Sequence, residues 1–176
     1  MDIILEANGI QLPSSGGSYT LFLRLSQSRC LGIGRLGDFT LPPGMYVYLG
    51  SAHGPGGLQA RISRHLRGDG TPHWHVDTLR NAATVKGYAY LLNRQVGLLP
   101  KRVIPLECLW SQALDDLPGA VIPVPGFGAS DCGAGCPAHL IAFPKAESWP
   151  NQKKRIINRL AEVLGIPPDQ VEAKEV

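Results

Sequence analysis

Apolar positions recur along this chain with two different periods. Residues 19–25, YTLFLRL, and Met45–Leu49 are almost continuously aliphatic or aromatic, which predicts buried strands. In the second run Tyr46 and Tyr48 alternate with Met45, Val47 and Leu49, so both tyrosines point to one side. Residues 58–67 change period. Leu58, Ile62 and Leu66 make a stripe at spacing four, the mark of an amphipathic helix. Arg61 and His65 lie one turn apart along the edge of that stripe, at a boundary between core and solvent.

The same reading continues downstream. A short run at Cys30–Ile33 predicts a strand pairing with residues 19–25, and Leu41-Pro42-Pro43-Gly44 is a turn. HWHVDTLRNA begins a helical segment at His73, and Val85–Leu92 is a strand. Pro105–Leu117 is a helix with proline at its first turn; Leu106, Leu109, Trp110, Ala113, Leu114 and Leu117 face inward and Glu107 sits at the edge. Val121–Val124 and His139–Phe143 read as strands, with GFGASDCGAGC a loop between them. Ser148–Leu164 is a last amphipathic helix ended by Gly165. Strands and helices are mixed rather than strictly alternating, which predicts the α+β class.

Composition narrows this further. At 176 residues, 44% hydrophobic and 18% charged, the chain reads as one globular domain over 1–176, with 145–176 a C-terminal helical extension. No stretch has the length of a membrane span, and MDIILEANGI lacks the basic start of a signal peptide, so the expected location is the cytoplasm. The net charge of +3 says less about a nucleic-acid partner than its distribution does. Arg61, Arg64, Arg67 and His65 form one basic group; Lys153, Lys154, Arg155 and Arg159 form another; the residues from Asp169 onward offset them.

Tyr19, Tyr48, Arg61, His65 and Glu107 are the candidate catalytic residues. An arginine suits a phosphate, a carboxylate holds a divalent ion, and a tyrosine or histidine orients or deprotonates water. Arg64, Arg67, His73 and His75 are candidate contacts to nucleic-acid phosphate. Cys132, Cys136 and His139, at spacings of four and three, could take zinc with His73 or His75 as a further ligand. The spacing is not a standard knuckle, and buried or free thiols are the preferred reading.

Several motifs carry a resemblance: GSY at Gly17–Tyr19, YVYLGSA at Tyr46–Ala52, GGLQARISRHLR at Gly56–Arg67, HWHVD at His73–Asp77, EC at Glu107–Cys108, GFGASDC and CPAHL. On these the chain resembles the DUF123 branch of the GIY-YIG nuclease superfamily, relatives of which are sometimes fused to endonuclease III. The resemblance implies a GIY-YIG-like core: a small, mainly antiparallel sheet flanked by helices, with an inserted hairpin and a C-terminal helix. Tyr19 matches the tyrosine of the first motif, with Ser18 in place of isoleucine. Tyr48-Leu49-Gly50 matches the second, Arg61 the helical arginine, His65 the polar residue one turn later, and Glu107 the metal-binding glutamate. Tyr19 and Tyr48 stand 29 positions apart, further than in that pattern, and a segment including Gly32–Pro43 is the insertion. The implied function is a DNA endonuclease dependent on Mg or Mn, acting in DNA repair, with a repair glycosylase as an associated activity. The alternatives are a nucleic-acid-binding module without turnover, or a zinc-stabilised interaction domain.

Overall fold

The structure is a computed structural model describing residues 12–68, 71–96, 104–145 and 147–176. The expectation about MDIILEANGI therefore lies outside the described residues. Among the described residues, seven strands occur: β1 (Gly17–Leu25), β2 (Arg29–Gly32), β3 (Asp38–Leu41), β4 (Gly44–Ala52), β5 (Thr84–Leu92), β6 (Leu140–Phe143) and β7 (Glu172–Glu175). The α-helices are α1 (Gly57–Arg67), α2 (His75–Ala82), α3 (Asn93–Val96), α4 (Leu106–Asp115) and α5 (Trp149–Glu162). Five strands form one antiparallel sheet in the order β6-β4-β1-β5-β7. The fold is therefore α+β, as the mixed periodicities predict.

Both faces of the sheet are buried, which explains why β1 and β4 read as unbroken apolar runs rather than alternating ones. On one face Tyr19, Leu21, Leu23, Tyr46 and Tyr48 meet Leu58 and Ile62 of α1 and Val76 and Leu79 of α2. On the other, Phe22, Val47 and Leu49 meet Leu106, Trp110 and Leu114 of α4 and Ile156 and Leu160 of α5. The tyrosines of β4 thus share one face, and Met45, Val47 and Leu49 the other. α4 and α5 are further joined by the Trp110 indole N–H, which donates to the Leu160 carbonyl at 3.1 Å.

The structure corrects two strand expectations and adds one strand. Residues 30–33 do not pair with residues 19–25: β2 pairs with β3 in a separate two-stranded hairpin. Its residues are mostly exposed, whereas both edges of β1 are already taken by β4 and β5. Residues 121–124 make a single bridge, Val121 to Ala142, rather than a strand. The C-terminal segment adds β7, which pairs with β5 at the sheet edge through backbone bonds that an EAKE sequence does not advertise. The β2–β3 hairpin lies between β1 and β4, in the segment that separates Tyr19 from Tyr48. Among the described residues, no helix is long and apolar enough to cross a membrane.

Candidate functional site

β1 and β4 run antiparallel with Tyr19 opposite Gly50 and Leu21 opposite Tyr48, so the two tyrosines are diagonal neighbours on one face. Their ring centroids lie 6.2 Å apart, edge to face. Tyr19 lies across Gly50: a Cβ there would come within 2.8 Å of the Tyr19 Cζ and hydroxyl oxygen. Glycine after Tyr48-Leu49 is therefore a steric requirement of the tyrosine pair.

The Tyr19 hydroxyl is 2.9 Å from His65 Nε2. His65 is not at the core boundary as its position beside Arg61 predicts. It is 1% exposed, edge-on to Tyr48 and to Trp74. Its Nδ1 faces Asp77 Oδ1 at 3.4 Å, which is long for a hydrogen bond and acts mainly as an electrostatic contact. Burial lowers the His65 pKa to about 4, more than the Asp77 charge raises it, so the ring is neutral at pH 7. The carboxylate favours the proton on Nδ1, leaving Nε2 to accept from the Tyr19 hydroxyl. Burial likewise pushes the Tyr19 phenol well up and that of Tyr48 to about 12, the latter against the pull of Arg61.

Asp77 sits in the first turn of α2. Its Oδ2 accepts the backbone N–H of His73 at 2.8 Å and of Trp74 at 3.0 Å. Burial pushes this carboxyl up, but those two N–H groups and the His65 and Arg64 contacts hold it below its usual value. A chain Tyr19–His65–Asp77 thus runs from the sheet through α1 to α2.

Arg61 stands on the same helix as His65, its guanidinium 3.9 Å over the Trp74 ring, with that of Arg64 at 4.7 Å. Glu107 occupies the first turn of α4 and accepts a hydrogen bond from the Ser18 hydroxyl at 3.1 Å. Tyr19, Tyr48, Arg61 and Glu107 line one cavity of about 360 Å³, although 88 positions separate the first from the last. Trp74 and Asp131 also line it.

The remaining candidates lie elsewhere. Arg64 donates to the Thr71 carbonyl at 3.0 Å and pairs with Asp77 at 3.4 Å. Arg67 is exposed on the last turn of α1. His73 is exposed with its ring against Trp74. His75 Nδ1 accepts the Gly128 N–H at 3.2 Å, and its ring packs on Phe127.

Cys108, Cys132 and His139 also line this cavity. Cys108 of α4 meets Cys132, Cys136 and His139 of the loop before β6, and the four potential ligand atoms lie within 4.8 Å of one another. The Cys108 and Cys132 sulfurs are 3.3 Å apart, and the Cys108 sulfur is 3.5 Å from His139 Nε2. This group could hold a metal ion. Cys108 fills the position for which His73 or His75 is the sequence expectation; His75 is turned to Gly128 instead. Burial raises the Cys108 and Cys136 thiols and lowers His139. Burial also works upward on Cys132, yet N–H groups of Cys136 and Ala134 bring it below its usual value.

Three participants lie inside the quoted motifs HWHVD and EC, yet the sequence reading gives them no role in the site. Asp77 carries only the weak signal of an acid in the first turn of a helix. Cys108 is 24 positions from the nearest loop cysteine, and Trp74 gives no signal before its arginine partners are placed.

A family model described as a domain of unknown function, DUF123, matches residues 18–162. No curated protein and no solved structure matches the chain.

Proposed function

The chain belongs to the DUF123 family, and from the cavity it carries we propose that it is a divalent-metal-dependent DNA endonuclease of GIY-YIG type. The observation that supports this reading is the convergence of Tyr19, Tyr48, Arg61 and Glu107 from two strands and two helices onto one cavity. Each contributes what phosphodiester hydrolysis needs. Arg61, held by Trp74, binds a phosphate oxygen and offsets the charge that builds up in the transition state. Glu107 offers oxygen donors at the cavity wall and would hold Mg or Mn, ions that commonly use one or two carboxylates plus substrate phosphate; the bound ion would stabilise the leaving oxygen.

The tyrosines are phenols at neutral pH, so they serve as oriented hydroxyls. Water attacks phosphorus as the bond to the leaving oxygen breaks. Its proton passes to the Tyr19 oxygen while the Tyr19 proton moves to His65 Nε2, the one neutral acceptor in line. Asp77 steadies the imidazolium so formed. Placement in DNA repair forms part of the same proposal and rests on the family resemblance alone.

The test is cleavage of single-stranded, duplex and branched DNA with Mg or Mn. Arg61→Ala and Glu107→Gln should each lower the rate by about 100-fold or more with the fold intact. Equal cleavage by wild type and Glu107→Gln would remove Glu107 from the reaction. Salt-dependent binding without cleavage of any substrate would instead identify a binding module, a reading favoured by the way Trp74 already occupies one face of Arg61.

A further inference from the structure

The cleavage reading makes no use of the sulfur atoms in the cavity wall. We propose that Cys108, Cys132, Cys136 and His139 bind one zinc ion in a closed tetrahedral site that ties α4 to the loop spanning residues 126–139. The ligand types are those zinc prefers, and their separations fit. Zinc with bonds of about 2.3 Å to sulfur and 2.0 Å to nitrogen sets tetrahedral ligands about 3.5–3.8 Å apart. The sulfur–sulfur distance is 3.3 Å, the sulfur–nitrogen distance 3.5 Å, and no pair exceeds 4.8 Å. A disulfide would hold two of these sulfurs at about 2.05 Å, and all four cysteines are free. A polynuclear iron–sulfur cluster spreads its ligands over several irons and needs wider spacing.

The surroundings suit thiolates bound to a cation. The Gln112 side-chain amide donates to the Cys136 sulfur at 3.8 Å. His139 presents Nε2, a nitrogen of the kind zinc takes, to the Cys108 sulfur at 3.5 Å. A contact such as that of Gln112 orients a metal ligand from outside.

Four protein ligands leave no open coordination position, so the ion is structural rather than catalytic. Its work is visible in the loop. Residues 126–139 contain neither helix nor strand, yet they place Phe127 against Tyr48 and His75. Binding zinc deprotonates the three thiols and releases their protons to solvent. Because Cys108 follows Glu107 directly, the same ion fixes the first turn of α4 at the cavity.

The full chain, produced with zinc supplied and purified under reducing conditions without chelator, should carry close to one zinc per molecule by elemental analysis. Cobalt in its place should give tetrahedral d–d bands and a thiolate charge-transfer band. Chelation should lower Tm by about 5 °C or more, since the metal's binding free energy is folding free energy. Cys132→Ser, at the least buried of the three sulfurs, should keep the fold and weaken cobalt binding by about 100-fold or more, beyond what loss of an outer-shell partner does. Cys30→Ser, exposed on β2 away from the site, should bind as wild type. Protein that takes up neither zinc nor cobalt would overturn the site, as would Cys132→Ser binding at wild-type affinity. Stoichiometric iron in place of zinc would overturn the identity of the ion. None of these readouts depends on DNA cleavage, so failure here and failure of the nuclease reading are separable.

Discussion

Gly50 and His65 each have one steric or electrostatic reason to be what they are. At Gly50, a methyl group would strike the Tyr19 ring, which is itself wedged between Tyr48 and His65. Gly50→Ala should therefore cost about 1–3 kcal/mol by urea denaturation, whereas Gly54→Ala, with nothing within 4 Å of the new carbon, should be close to neutral. His65 makes stability depend on pH. Its folded pKa of about 4 lies below the ordinary 6.5, because burial favours the neutral ring. Above pH 6.5 neither state binds the proton, and the ring imposes no cost. As pH falls from 6.5 to 4 the unfolded chain protonates first, and stability drops by up to about 3 kcal/mol. Denaturation midpoints across that window should slope less steeply for His65→Asn than for wild type. The burial of His65 could not be read from its neighbours in sequence. A polar residue beside an apolar stripe looks half-exposed until Trp74, Tyr48 and Asp77 arrive from other elements to enclose it.

At the scale of elements, α2 is held to α1 by polar contacts as much as by its apolar face. Asp77 caps the helix through two backbone N–H groups, and Arg80 donates to the carbonyls of His65 and Leu66 at the end of α1, both at 2.8 Å. Asp77→Ala should lower stability by about 1–2 kcal/mol, at the upper end for a lost cap, and the loss should be measurable in the same urea titration. Elements whose apolar period was strong were legible in the sequence: β1, β4, α1, α4 and α5 all occur where the pattern puts them. β7 was not, because Glu172 and Lys174 join the sheet edge through the backbone and only Val171 beside them is buried. The cavity was legible in part. Tyr48, Arg61 and Glu107 lie at the ends or edges of strongly periodic elements, so their placement follows once those elements pack. Cys108 needed the tertiary path of the loop, which carries no period at all.

At the scale of the molecule, the sheet is a wall with two unequal sides. α1 and α2 cover one face, α4 and α5 the other, and the loop before β6 closes the cavity. Removal of residues 171–176 would strip the outer edge of β5 and expose the apolar surface that Val171 covers. Thermal unfolding should register this as a fall in Tm of a few degrees, about 2–4 °C for each kcal/mol lost in a chain of this size. β1 has a different fate. It is bonded along nearly its whole length on both sides, and only Arg24 within it is exposed. Its amides can meet solvent deuterium only when the entire sheet comes apart, so residues 19–23 should exchange at the rate of global unfolding while those of 126–136 exchange through local opening. Tyr19 is thus a fixed post. Whatever breathing admits a large ligand has to come from the opposite wall.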